Sequence, residues 1–447
     1  MTLNATNYSI SKSLFEKIAN AFKSAVKFIH RRGGYKAEYL KEEEVKPLIE
    51  HTFEAFSEAV DFGVKDNVIP EAMKMYLKNN TFVFSGFKTH QQLERVSRLL
   101  HDDDGHVKPF NRFLKDVQSI DKKYNKTYLN AEYNFAVRSA QAAGKWNNFL
   151  QDGDEFYLQY RTARDERVRD EHRILDRITL PVSSDFWNEY FPPNGWNCRC
   201  NVVQVNKDRY EPTNESEAIA RGRSATYKPN ADGVNKAAIF RFNPGKEQRI
   251  FPKKHPYFPK GCGDCGLNQY AIGKGNATCK ACVLLQKMKR KEITSNISTF
   301  IKKQPKIEYK NNAFNGKTAY VWTSALIGEI NTHMKQINKL VKTYDILNHL
   351  DRYLDENAKL IKEDNYHNTL SKKSPTLEIQ VLQSKYKGDL ACRKNETIQL
   401  VFVKKQERGK EFWRLNFVRS WKSDKEYEQW AMNKKDKENK KGVLYLI

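Results

Sequence analysis

Four cysteines stand in two pairs, Cys262-x2-Cys265 and Cys279-x2-Cys282, with thirteen residues between the pairs. Each pair can turn two thiolates toward one centre, and four thiolates close a tetrahedron around a zinc ion with no position left open. Gly261, Gly263 and Gly266 permit the tight turns that such knuckles need. The flanking stretch is rich in Pro, Gly, Asn and Lys and offers no core to order it. Zinc is therefore the expected cofactor, structural rather than catalytic, and supplies the folding energy of the module. Thiol–disulfide exchange is the competing use of a Cys-x2-Cys, but two copies without a βαβ pattern around them count against it.

A second chemical group lies in residues 161–200. Val168, His172 and Leu175 recur at helical spacing, which predicts an amphipathic helix with these three on one face. Asp165 and Arg169 stand at i,i+4 and are expected to brace it. Pro181 ends that run. Phe186, Trp187, Tyr190 and Phe191 follow as a hydrophobic plug, Pro192-Pro193-Asn194-Gly195 forces a turn, and Cys198-Arg199-Cys200 leads into a β-like segment. His172 on an apolar face reads as a hydrogen-bonded core histidine rather than a base or ligand. Cys198 and Cys200 could join a metal site with His172, pack in the core, or lie beside the zinc module. Arg161, Arg167 and Arg169 can bind phosphate or pair with Asp165, Asp170 and Glu171, and their spacing does not decide.

Asp165, Arg167, Arg169, His172 and Leu175, then a proline-rich turn, then Asn197-Cys198-Arg199-Cys200, form a sequence that resembles the phage Mu F-like family of minor head proteins. The likeness extends over about residues 85–205 and is specific because both halves are matched in order. One departure is that Gly195-Trp196-Asn197 precedes Cys198, where many relatives carry His-x-Asn-Cys-Arg-Cys. The resemblance implies a phage or prophage protein near the portal vertex that assists head assembly and genome packaging or delivery. It implies portal, capsid or scaffold proteins as partners, and a path from the bacterial host cytoplasm into the virion. Family members also carry variable C-terminal extensions, some resembling small ribonuclease or toxin folds.

The chain has 447 residues and a formal net charge of +24. Such an excess favours polyanions through counterion release, so sequence-independent nucleic-acid binding is expected. Lys287, Lys289, Arg290 and Lys291, within a basic stretch at 286–306, are the candidate contacts, and that stretch reads as a linker or arm. The alternative is a uniformly basic surface with no site. No apolar run is long enough to span a bilayer, and the polar N-terminus lacks the apolar core of a signal peptide, so no membrane partner is expected. Seven cysteines, an odd number, argue for reduced thiols and metal ligation rather than a disulfide framework.

These groups need a scaffold, and the periodicities predict an α+β protein: a helical N-terminal region, a small α/β core with a zinc-knuckle module, and a separate C-terminal α+β domain. The expected divisions are a helical docking region at 1–150, a Mu F-like core at 151–210, the zinc module at 211–285, the linker at 286–306 and the last domain at 307–447. Helices are expected at 14–29, 41–64, after Pro70, at 90–100, 110–125 and 127–146, with Phe82-Val83-Phe84 as an extended segment or turn. In the last domain, strands at 319–322, 376–382, 397–403 and 412–418 accompany helices at 327–344, 345–360 and 424–435. His333, His349, His367, Arg393, Lys404, Arg408 and Arg414 there supply acid, base and phosphate-binding groups of the metal-free ribonuclease type. A basic binding domain is the simpler reading of them. No phosphate loop, nucleophile elbow or zincin motif is present, so an enzyme is expected, if anywhere, only in residues 307–447.

Overall fold

The computed structural model describes residues 8–67, 69–258, 279–303, 306–310, 318–322, 337–353, 359–364, 376–387, 395–407 and 410–421, with residues 393, 426, 428 and 429. The chain divides into two compact units, Met1–Lys289 and Arg290–Ile447, and mixes helices with sheets as an α+β protein.

Helices build most of the first unit. Helix α1 (Lys12–Arg32) starts where the Ser11 hydroxyl accepts the Leu14 N–H and stops at Gly33, whose φ of +69° a glycine adopts without strain. It buries Leu14, Ile18, Phe22, Val26 and Ile29 on one face. Helix α2 (Lys46–Val64) follows with Pro47 in its first turn, where no amide donor is needed. Helix α3 (Glu71–Arg98) corrects the sequence reading, because it runs straight through Phe82-Val83-Phe84 and joins two expected helices. Residues 79–89 are all buried, so the segment shows no amphipathic stripe from which a helix could be read. Gly86 does not break it. A Cβ there would come within 2.3 Å of the Leu285 side chain, so the missing side chain makes room for a neighbour. Helix α4 (Phe110–Lys122) passes through a π-helical turn, Lys123–Tyr128, directly into α5 (Leu129–Asp152).

A three-stranded antiparallel sheet stands on the end of α5. Its strands are β1 (Phe156–Arg161), β2 (Thr179–Pro181) and β3 (Asn201–Asn206), in the order β2-β1-β3. Leu158 pairs with Leu180 on one side and Gln204 on the other. Leu158, Tyr160, Leu180 and Val202 form a core with Trp146 and Phe149 of α5, with the plug residues Phe186, Trp187, Tyr190 and Phe191, and with Leu175. Phe186, Trp187 and Tyr190 of the plug lie on a short helix, α7 (Phe186–Tyr190), and Phe191 follows it in extended backbone.

The amphipathic helix expected from residue 161 is not formed. Only one turn remains, α6 (Asp170–Arg173). Residues up to Arg161 are taken by β1, Arg164 adopts a φ of +55°, and the Asp165 carboxylate accepts the Arg167 N–H at 3.0 Å. That local side-chain bond offers the backbone an alternative to helix. The segment led by Cys198-Arg199-Cys200 consequently lies alongside a strand, β1, and not alongside a helix. Val168, His172 and Leu175 are nevertheless all buried.

Beyond β3, the expected loops include a helix that sequence reading missed, α8 (Glu215–Ala225), capped by the Asn214 side chain. Its Gly222 lies so close to the Tyr190 ring that a Cβ would sit 2.5 Å from it. One further turn, α9 (Pro244–Glu247), precedes an aromatic segment laid over the helices. There the Phe251 ring stacks on Phe84 at 3.5 Å, and Asn80 Oδ1 accepts the N–H groups of Ile250 and Phe251. Helix α10 (Cys279–Lys303) then occupies most of the stretch expected to be a linker.

In the second unit, strands β4 (Lys306–Lys310), β5 (Thr318–Trp322), β6 (Lys359–Asp364), β7 (Thr376–Lys385), β8 (Thr397–Glu407) and β9 (Lys410–Trp421) form a sheet in the order β4-β5-β9-β8-β7-β6. Neighbours are antiparallel except β5 and β9. Residues 397–403 of β8 are buried on both faces, as befits a strand paired on both sides. Helices α11 (Ile337–Asn348) and α12 (Leu350–Tyr353) precede β6. The helix expected over 345–360 is therefore cut short, because Lys359 and Leu360 pair with Gln383 and Leu382 of β7. The expected final helix at 424–435 lies mostly outside the described residues.

Candidate functional site

His172 of α6 meets the two cysteines that lead into β3. Its Nδ1 lies 3.8 Å from Cys198 Sγ and 3.8 Å from Cys200 Sγ. The three ligand atoms all lie within 4.8 Å of one another. His172 and Cys198 are buried and Cys200 is half-buried. Both thiols are free rather than bridged. A hydrogen bond from Cys200 holds the Cys198 thiol well below its usual range, and the same contact raises Cys200. Tyr160, buried beneath them, has its hydroxyl pushed well above the ordinary phenol range by burial, and it donates to Asn194 Oδ1 at 2.9 Å.

Two clamps hold this group in place. Both terminal nitrogens of Arg199 reach both oxygens of Asp165, at 2.5 Å each. The Arg169 guanidinium donates to the Trp196 carbonyl at 2.5 Å. Each clamp ties the segment before α6 to the segment before β3. The Asp165 carboxyl is drawn down to about 2, first by the hydrogen bonds from Arg199. Arg167 is exposed and Arg173 pairs with Asp170 instead. The i,i+4 pair expected between Asp165 and Arg169 is thus replaced by a pair 34 residues apart. A small cavity of about 190 Å³ opens onto His172, Cys198 and Cys200, rimmed by Arg167 and Arg169. A larger cleft of about 1030 Å³ is also lined by His172 and is walled by Trp196, Phe240 and Phe258.

The remaining candidates are scattered. Cys262 and Cys265 lie outside the described residues. Cys279 opens α10, and Cys282 is buried one turn on, where the Gln286 amide donates to its sulfur at 3.4 Å. Of the basic quartet, Lys287 and Lys291 are exposed on α10. Lys289 is corrected from arm to core: it is buried, with its ammonium over the rings of Phe53 and Phe82 at 4.8 and 5.3 Å. Arg290 is half-buried. In the second unit, Arg393 pairs with Asp345 at 3.4 Å and Glu396 at 2.8 Å, and Lys342 reaches Glu396 at 2.9 Å. His349 Nδ1 stands 3.8 Å from the same Asp345. These groups satisfy one another and fasten α11 to the sheet. His333, His367 and Arg408 lie outside the described residues, and Lys404 sits on β8 away from that cluster.

Sequence reading missed one buried ionic centre. Lys88 of α3 donates to Glu132 of α5 and to the Tyr124 carbonyl at 2.8 Å, and the Tyr257 hydroxyl donates to the other Glu132 oxygen at 2.8 Å. Burial pushes the Lys88 ammonium down despite the carboxylate beside it. The residues are 44 apart, and no local spacing signals the pair.

Comparison with known proteins bears on this region. Residues 96–203, from the end of α3 through β3, match the family described as Phage Mu protein F like protein. The putative capsid assembly protein F of Escherichia phage Mu is 39% identical over 78 residues, which is 17% of this chain and 18% of that relative. The chain therefore spans less than a fifth of the length of the curated relative it matches. No solved structure matches. The matched stretch contains both clamps, His172 and the two cysteines, and over residues 96–203 the chain is similar to that family.

Proposed function

We propose that this protein is a phage or prophage minor head protein that acts in head morphogenesis. The observation that carries the reading is the match over residues 96–203, because those residues form the clamped centre and most of its supporting core. The similar protein of phage Mu is described as a putative capsid assembly protein, and capsid proteins are the partners this reading names. No helix among the described residues is long and apolar enough to cross a membrane. A place near the portal vertex, inside the head, is the finer form of the proposal. Density-gradient purification of particles from an induced lysogen, followed by mass spectrometry, tests it. The protein should co-purify with heads, and its deletion should leave lysates without filled heads. A protein found only in the soluble fraction, with filled heads formed in its absence, would overturn the reading.

Two further properties belong to this proposal. The net charge of +24 supports sequence-independent contact with nucleic acid, through exposed residues such as Lys287 and Lys291. Charge reversal at those two positions should flatten the dependence of log affinity on log salt. The double Cys-x2-Cys spacing of Cys262, Cys265, Cys279 and Cys282 supports one structural zinc. Cys279→Ser should then lower the zinc content and expose residues 240–290 to protease.

A further inference from the structure

We infer that His172, Cys198 and Cys200 form a second metal site, separate from the double Cys-x2-Cys motif, that takes a zinc-class ion through one imidazole and two thiolates. The distances fit. Tetrahedral zinc, with bonds of about 2.0–2.1 Å to nitrogen and about 2.3 Å to sulfur, sets its nitrogen and sulfur ligands about 3.6 Å apart. His172 Nδ1 lies 3.8 Å from each sulfur, so both nitrogen–sulfur distances are within a few tenths of an ångström of that value. The ligand types fit as well, since thiolate with imidazole suits a borderline-soft ion and excludes calcium or magnesium.

The support around the site has the form that a metal centre needs. His172 comes from α6, while both cysteines come from the approach to β3, so the ligands belong to two segments that no strand pairing joins directly. The Asp165–Arg199 and Arg169–Trp196 clamps join those segments. Ligand geometry is fixed by such neighbours before any ion arrives. Three protein ligands leave a fourth position, and His172, Cys198 and Cys200 all line the 190 Å³ cavity. Arg167 and Arg169 at its rim offset the two thiolates and suit a water, hydroxide or small anion as the fourth ligand. The motif residues are thus a ligand set and its braces.

Thiolate counting on the whole protein tests this. Purified protein is stripped of metal under reducing conditions and titrated with cobalt(II), and the thiolate-to-cobalt charge-transfer intensity is read per chain. The expected result is intensity for six thiolates with two ions bound, or for two thiolates with one ion if the four-cysteine motif binds nothing. Intensity for four thiolates, or none, would overturn the second site. His172→Gln and Cys200→Ser are each expected to remove one equivalent of zinc from protein isolated in zinc-supplemented medium, while Cys279→Ser leaves that equivalent in place. Unchanged zinc in both site variants would likewise overturn it.

Discussion

Arg199 grips Asp165 with two parallel hydrogen bonds across 34 residues of sequence, and the pair closes a loop that contains His172. The carboxyl is drawn down from its ordinary 3.8 to about 2. A depressed carboxylate stabilises the fold above the unfolded value and loses that contribution as pH falls through the folded one. Part of the acid sensitivity between about pH 4 and pH 2 should therefore come from this pair. Asp165→Asn should remove that part from a melting curve recorded against pH, and an unchanged pH profile would show that the pair contributes nothing. Because Asp165 is partly exposed, the effect should shrink in high salt.

Burial gives Lys88 and Glu132 a larger stake. Their side chains are only 1% and 3% exposed. Removing one partner leaves an uncompensated charge in the core, at a cost of about 3–5 kcal/mol. Glu132→Leu should lower stability by that amount in urea unfolding followed by tryptophan fluorescence. The double change Lys88→Met with Glu132→Leu should recover a good part of the loss. Two single effects that simply add would rule out coupling.

Trp187 is wholly buried in the core beneath the sheet, and its indole N–H donates to the Pro181 carbonyl at 3.0 Å. Trp187→Ala should cost about 3–5 kcal/mol as a large-to-small change in a packed interior. Trp187→Phe keeps most of the ring volume and should cost less. Equal losses for the two would place the energy in the hydrogen bond rather than in the packing.

His255 is held neutral, its imidazole pushed down to about 3 by burial and then by the nearby Lys88 charge. The unfolded chain binds a proton near pH 6.5 that the folded chain refuses. Between those values the unfolded state carries more protons, so stability falls as pH drops, by up to about 1.4 kcal/mol per pH unit. His255→Phe should flatten the stability curve between pH 6 and pH 4. A curve that keeps its slope would assign the acid loss to other groups.

The readable parts of the chain were those with local signals. The Ser11 cap and Gly33 stop bracket a helix that its apolar spacing announces, and the plug from Phe186 to Phe191 occupies the core as its composition implies. Strands β7, β8 and β9 fall on the β-rich runs at 376–382, 397–403 and 412–418. Long-range pairing hid the rest. Val168, His172 and Leu175 keep helical spacing but reach the core from a loop and a single turn, because β1 claims the residues before them and Arg199 claims Asp165. His172 was legible as a buried histidine, while its meeting with Cys198 and Cys200 depends on β1 bringing β3 into register. Helix α3 was obscured because its middle, residues 79–89, is buried all round, and Lys289 because a basic stretch conceals one lysine that faces inward.

Asn80 lies in the middle of α3, yet its side chain serves the backbone of Ile250 and Phe251, 170 and 171 residues later. Emergence from the ribosome is thus a constraint on this protein. The early helices can form as they leave the exit tunnel, but the faces of Phe56 and Phe84 stay uncovered until Phe251 has been translated. For the time needed to make those residues, the nascent chain displays an aromatic surface, which is where a chaperone would bind. A chain stopped short of residue 250 keeps that surface bare for good, so premature termination should yield aggregates or degradation products and not a smaller working protein.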